Sequence, residues 1–335
     1  MNVVWFRRDL RLSDNPALLK ACSEGRGVKA IHIETPKTWA RHHLGDNQQQ
    51  WLQLNLDCLA NDLSELGISF ERLKTPYFSD CPKLVLDFMK QHHIEALYFN
   101  HEYAWDERRR DNNVIEHLKA HEMTVRTFHE QGLLQPESIF NKQGKAYSVF
   151  TPYKKACIQQ ILLDSDLVSP LPKPTKQGVY LEIKQPNQAP VTPYFGLLPG
   201  SDAAQSNLKT FVFNKLDDYK RYRDFPELDA TSHLSPYLAL GIISVRQCIE
   251  PLFDYYEVCD FGQILLNEGA AIWISELLWR DFYKMICFQY PHVSRNQPFQ
   301  AKTAHLQWDD NPKNIEAWKK GQTGVPLVDA AMRQL

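Results

Sequence analysis

The stretch GAAIWISELLWRDFYKMI, residues 269–286, decides how the second half of the chain folds. At about 100° per residue, Ile274, Leu278, Phe282, Met285 and Ile286 share one apolar arc, and Trp273, Glu276, Trp279, Arg280 and Tyr283 share the opposite one. The first arc predicts a helix buried along one side. The second combines two indoles, a phenol, a carboxylate and a guanidinium, which is the chemistry for stacking a flat ring and hydrogen-bonding its edges. The plain alternative is a wet aromatic face with an i,i+4 pair between Glu276 and Arg280. Residue chemistry alone leaves both readings open.

Working upstream, the chain from Ser201 onward reads as helical, whereas residues 1–128 alternate strand and helix signals. β-rich runs fall at Val3–Phe6, Val28–Ile33, Ile68–Leu73, Ala96–Phe99 and Thr124–Phe128. Between the second and third, Leu52, Leu56, Leu59, Leu63 and Leu66 repeat at helical spacing up to Gly67. This alternation predicts a doubly wound parallel sheet of five strands, whose ligands sit beyond the carboxyl ends of the strands. The region has neither GxGxxG nor GxxxxGK[ST], so no glycine loop brings backbone to a phosphate, and a dinucleotide or P-loop site is not expected. The first strand runs instead into Arg7, Arg8, Asp9 and Arg11, either a solvated loop or a salt-bridged clamp. WDERRRD, residues 105–111, reads as a charged first helical turn capped by Asp106 or Asp111.

Residues 131–200 break the pattern. They hold nine of the twenty prolines, and only 153–163 has helical character. This predicts a long connector. Within it, KQGKAYSVFTPYKKAC, residues 142–157, reads as a docking point against the other domain. The expected division is therefore 1–130, an α/β domain; 131–200, the connector; and 201–335, an all-α domain. In the last, Lys220, Arg221 and Arg223 form a basic cluster. Thr231, Ser232 and Ser235 then offer hydroxyls at a helix start, suited either to cradling a phosphate or simply to an N-cap at Ser235.

Composition narrows the class. A chain of 335 residues with 43% hydrophobic and 23% charged residues has material for two domains of a globular enzyme. MNVVWFRRDL places apolar residues before arginines, the reverse of a secretory signal, and no apolar run reaches membrane-spanning length, so a cytoplasmic protein without membrane association is expected. Seven scattered cysteines suggest neither a disulfide framework nor a metal site. A net charge of −2 excludes a generally basic nucleic-acid binder and confines any DNA contact to a local patch.

Six segments, in order, resemble the photolyase/cryptochrome family: VVWFRRDLRLSDNPAL at residue 3, FTPYKKA at 150, YKRYRDFP at 219, TSHLSPYLALGIIS at 231, WISELLWRDFY at 273 and TGVPLVDAAMRQL at 323. The resemblance is strongest to bacterial class I cyclobutane pyrimidine dimer photolyases. It implies an α/β antenna domain, a connector and a helical domain that binds FAD. It further implies flavin contacts by Tyr219, by Thr231, Ser232, His233, Leu234 and Ser235, and by Trp273. The substrate cavity would be walled by Glu276, Trp279, Arg280 and Tyr283, with Arg280 also at the cofactor, and Arg223 would meet the DNA backbone. Asp106 and Glu107 match positions that hold a 5,10-methenyltetrahydrofolate antenna, and Trp308 matches the outermost member of a tryptophan electron relay. The implied partner is damaged DNA carrying a pyrimidine dimer, met by a monomer.

Two departures accompany the match. Arg295 and Asn296 stand near a position usually occupied by lysine in folate-binding relatives. Val328, Met332 and Leu335 form an apolar helical pattern that stops without a cap, where the family usually continues with further flavin contacts and two inner relay tryptophans. The expectation is an incomplete helical domain that holds FAD poorly and repairs little. Against repair stands a cryptochrome-type signalling flavoprotein, which Glu276 followed by LLWRDFY disfavours. A nucleotide-binding α/β enzyme with a helical appendage is disfavoured by the missing glycines.

Overall fold

The computed structural model describes residues 1–177 and 193–334, and the remainder of the expected connector, together with Leu335, lies outside the described residues. The described residues form two compact units, Met1–Ser294 and Arg295–Leu335. Within the first unit, the α/β and helical parts share one core.

The first unit begins with β1 (Asn2–Trp5), α1 (Pro16–Ser23), β2 (Val28–Glu34), α2 (Pro36–Arg41), α3 (Asp46–Glu65), β3 (Ser69–Lys74), α4 (Cys81–Gln91), β4 (Ala96–Asn100), α5 (Trp105–Lys119) and β5 (Thr124–Phe128). All five expected strands form, within a residue or so of their expected ends, and they pair in parallel in the order β3-β2-β1-β4-β5. Every residue of β1 is buried, as a central parallel strand covered on both faces requires. Its side chains alternate between two cores. Val3 and Trp5 join Ile31, Leu97 and Phe99 beneath α4 and α5. Val4 and Phe6 join Leu18, Leu56, Leu59 and Leu63 on the other face.

That second core continues into the helical part of the same unit: α6 (Phe150–Leu163), α7 (Ser201–Asn214), α8 (Tyr219–Tyr222), α9 (Ser235–Leu240), α10 (Val245–Tyr255), α11 (Phe261–Ile264) and α12 (Glu268–Gln289). The expected apolar arc of α12 is buried throughout, from Ile274 to Ile286. Trp273, expected on the opposite arc, is buried as well, 5.0 Å from the Phe211 ring. The arc assignment fails there because α7 covers that side of the helix start. Among described residues, the second unit contains α13 (Pro312–Lys319) and α14 (Pro326–Gln334). Asp329 organises their turn, accepting from the Thr323 amide at 2.7 Å, its hydroxyl at 2.6 Å and the Gly324 amide at 3.0 Å.

The arginine-rich loop after β1 is the clamp, not the solvated loop. Arg7 lies over Trp5 and Phe99, 4.7 and 4.4 Å from their centroids, and donates to the Asn100 carbonyl and to Asp111 at 3.3 Å. Arg110 donates to Glu102 and Asp111, both at 2.7 Å. Arg11 pairs with Glu130 and donates to the Gly241 carbonyl at 2.9 Å, and Arg246 grips both carboxylate oxygens of the fully buried Asp14 at 2.9 Å. Arg8 is the exception, with its side chain 48% exposed. Neither Asp106 nor Asp111 caps α5. Ala104 occupies the cap position, and Asp111 faces inward to this network.

Two positions test this packing. A Cβ at Gly269, in the first turn of α12, would lie 1.9 Å from the Leu216 carbonyl oxygen. Gly→Ala within a helix ordinarily stabilises by up to about 1 kcal/mol. Gly269→Ala should instead destabilise by about 2 kcal/mol or more, read as a lowered urea midpoint. Asp281 on α12 accepts from the Leu133 amide at 2.7 Å, and burial pushes its carboxyl up to about 6. A raised acid contributes stability that is complete below its unfolded value near 4 and is lost as pH rises through about 6. Asp281→Asn keeps an acceptor for Leu133 without the charge. Relative to this variant the parent should therefore lose roughly 1–2 kcal/mol between pH 5 and 7.5, measured by urea unfolding at both pH values.

Candidate functional site

The crevice where a doubly wound sheet usually takes ligands, beyond the carboxyl ends of β1 and β4, is filled by the protein itself. Asp9 accepts from the Arg7 amide at 2.7 Å and from Asn100 at 2.6 Å, and burial with the nearby Glu130 charge pushes its carboxyl up to about 6. Burial alone would also raise Glu102, yet Arg110, Arg7 and Arg8 outweigh it and hold it down at about 2. Arginines therefore occupy the place of a ligand at this switch point, consistent with the missing phosphate glycines.

The exposed chemistry lies on α12. Glu276 bonds to Arg223 at 2.7 Å, not to Arg280 as the i,i+4 spacing suggested. Arg223 just after α8 is brought there because the start of α12 packs on the chain at Leu216, and its guanidinium carbon sits 5.2 Å from the Tyr219 ring centroid. The Glu276 bond, despite some burial, raises the Arg223 guanidinium above its ordinary value. Tyr219 is buried and meets Phe211 edge-on at 5.3 Å, with Phe211 in turn against Trp273. Tyr219, Trp273, Arg223 and Glu276 thus gather around one end of α12.

One turn further along, Trp279 is stacked on Phe150 of α6, centroids 3.6 Å apart and planes within 12°. Tyr283, 59% exposed, lies nearly parallel to Trp279 at 5.6 Å. Arg280 is largely committed to the fold, since it donates to the carbonyls of Gln131 and Leu238. Phe150 is the residue that sequence reasoning missed. FTPY marked its segment as a docking point, but nothing in spacing could pair it with a residue so far along the chain.

The hydroxyl-bearing turn precedes α9. Helix α9 starts at Ser235 with Leu234 in the cap position and no side-chain cap, so Ser235 is not the N-cap. Among the described residues, the hydroxyls of Thr231, Ser232 and Ser235 have no hydrogen-bond partner. His233, at φ +52°, pairs with Asp229 at 2.7 Å, and Asp229 also binds Lys215 at 2.7 Å. Leu234 is buried, anchoring the turn. Free hydroxyls on a turn anchored by Leu234, in the same core as Tyr219 and Trp273, fit the polar and aromatic needs of a nucleotide-bearing ring cofactor.

A separate cluster sits at the start of α5. His42 Nε2 is 3.0 Å from Asp106, and its Nδ1 is 3.8 Å from Glu107, whose carboxyl burial and the Glu102 charge push up. His42 carries no sequence signal, because the contact closes only when the residue after α2 meets the first turn of α5. Trp308, in the second unit, is 82% exposed. No group of His, Cys, Asp and Glu among the described residues could hold a metal ion, and no helix there is long and apolar enough to cross a membrane.

Residues 2–175 match the DNA photolyase family, and residues 273–335 match the FAD binding domain of DNA photolyase. The deoxyribodipyrimidine photo-lyase of Buchnera aphidicola (subspecies Baizongia pistaciae) is 34% identical over 351 residues, covering 100% of this chain and 70% of the relative. The Escherichia coli protein of the same name is 33% identical, with the same coverage. Cryptochrome-2 of Arabidopsis thaliana is 29% identical over 99% of this chain and 56% of its own length. Among solved structures, a class III photolyase from Agrobacterium tumefaciens superposes with a TM-score of 0.83 at 27% identity, covering 99% of this chain and 68% of that one. With two family segments matched and relatives a third identical along its whole length, this chain belongs to the DNA photolyase/cryptochrome family.

Proposed function

We propose that the protein carries out light-dependent repair of cyclobutane pyrimidine dimers in DNA, with FAD as cofactor. The observation that carries this reading is the row on α12, where Glu276, held by Arg223, stands one turn from a stacked indole at Trp279 and two turns from an exposed phenol at Tyr283. A carboxylate beside aromatic planes suits a flipped-out pyrimidine dimer, which offers ring faces and N–H and C=O edges. The names of the bacterial relatives support repair over signalling.

In this reading the domains divide functionally, as the sequence suggests, into antenna (1–130), connector (131–200) and cofactor and DNA region (201–335). Tyr219, Trp273 and Thr231 to Ser235 hold FAD, the hydroxyls taking its phosphates and Arg280 closing from α12. FAD, when bound, supplies the one-electron donor that opens the cyclobutane ring. Trp279 and Tyr283 orient the lesion by stacking, Glu276 hydrogen-bonds its edge, and the apolar walls exclude water. Arg223 meets the DNA backbone, so DNA competes with Glu276 for its guanidinium. Asp106 and Glu107, with His42 between them, receive a pterin-type antenna such as 5,10-methenyltetrahydrofolate. Trp308 serves as the outer electron relay, and the protein works as a cytoplasmic monomer.

The absorption spectrum of the purified chain and dimer repair under near-ultraviolet or blue light test the reading. Where the sequence alone leads to the expectation of weak FAD binding and little repair, this reading predicts a flavin spectrum with light-dependent loss of dimers, and a flavin-loaded chain that leaves dimers intact would overturn it. Trp279→Ala should cost about 1–3 kcal/mol in dimer binding, the value of one lost stack. Arg223→Ala should weaken damaged and undamaged DNA alike and lower the salt slope by about one, checked by titration at several salt concentrations.

A further inference from the structure

We infer that Phe150, the first residue of α6, is a positioning residue that sets the plane of the Trp279 indole for the lesion. The inference rests on the repair reading above. It concerns the FTPYKKA segment, which that reading otherwise leaves without a role.

Three contacts define Phe150. Its ring lies face to face with Trp279 at 3.6 Å and 12°, and meets the edge of Phe282 at 5.8 Å. The Lys154 ammonium, one turn along α6, sits 5.8 Å from the Phe150 centroid and reaches Ser275 on α12 at 3.4 Å. Tyr153 packs on Phe282 at 5.2 Å, so α6 is registered against α12 by neighbouring aromatic contacts as well. Trp279 in turn touches Phe282 edge-on at 5.7 Å. Its indole is therefore held in a plane by Phe150 and Phe282, with the exposed Tyr283 ring nearly parallel to it at 5.6 Å, and it stays half-buried.

The closeness of the stack separates this from ordinary core packing. At 3.6 Å and near-parallel the two rings overlap, so Phe150 covers one indole face, and a flat ligand meets Trp279 on the side away from Phe150. An aliphatic residue could fill the same volume without defining a plane. An indole held in one orientation loses no rotamer freedom when the lesion binds, which is how preorganisation turns into affinity. Phe150 is buried, so its contribution comes through Trp279.

The test is a double-mutant cycle on the full chain, with affinity for dimer-containing and undamaged DNA of one sequence as the readout. Phe150→Leu should weaken dimer DNA about 2- to 10-fold, the cost of ordering one aromatic side chain on binding, and leave undamaged DNA unchanged. Phe150→Tyr, which keeps the ring, should restore the parent's preference. In a Trp279→Ala background, Phe150→Leu should have no further effect on the preference for dimer DNA. Equal losses in both backgrounds, or on both DNAs, would mean a merely structural role and overturn the inference. An undiminished preference in Phe150→Leu overturns it too. A parent chain that does not distinguish the two DNAs overturns the repair reading itself, and this role falls with it.

Discussion

The buried charge network at the end of β1 is the constraint on which the first unit depends. Arg7, Arg11, Arg110 and Arg246 are each matched to carboxylates or carbonyls contributed by the sheet, by the loops after β1 and β4, by α5, by the residues just after β5, and by the loop between α9 and α10. Buried ion pairs of this kind add little net stability over apolar packing, because desolvation offsets attraction, but removing one partner strands a charge and costs several kcal/mol. Their effect is therefore on register. Leu10 donates to the Leu240 carbonyl at 3.1 Å, and Asp14 exchanges two hydrogen bonds of 2.9 Å with Leu171. The loop after the first strand thus dictates where the connector and α9 must lie.

From that register follows the composition of the site. Gly241, at φ +65°, lets the turn after α9 pass so close to the Arg8 carbonyl that a Cβ would lie 2.1 Å from it. Holding α9 there also holds the hydroxyl-bearing turn that precedes it. Asp281 ties the middle of α12 to Leu133, and Arg280 ties it to Gln131 and Leu238. The aromatic face of α12 is consequently aimed by polar contacts made next to it. Apolar packing alone would tolerate small rotations of a helix, whereas directed hydrogen bonds resist them.

Legibility in the sequence followed the range of the interaction. The five strands, the leucine helix α3 and the span of α12 rest on periodicities of two or 3.6 within a short window, and each appeared close to where it was expected. The caps of α5 and α9 were misread, because cap chemistry competes with tertiary demands. Asp111 serves a buried arginine pair in place of a helix end, and Ser235 lies inside its helix. Trp273 was misplaced for a related reason: a helical wheel shows which residues share a face, not which faces a neighbouring helix covers.

What the sequence determined by itself was the fold class, the helical character of the second half, the absence of a glycine phosphate loop and the family. All of these follow from local pattern or from motifs read in order. What only the tertiary structure decided was which side chains meet. The Arg223–Glu276 pair in place of Glu276–Arg280, the stack of Phe150 on Trp279, the approach of His42 to Asp106 and Glu107, and the filling of the switch-point crevice by arginines all join residues far apart in the chain. Such contacts depend on how helices and sheet pack against one another, and packing is settled by the shape and charge of whole surfaces, which no local window of sequence contains.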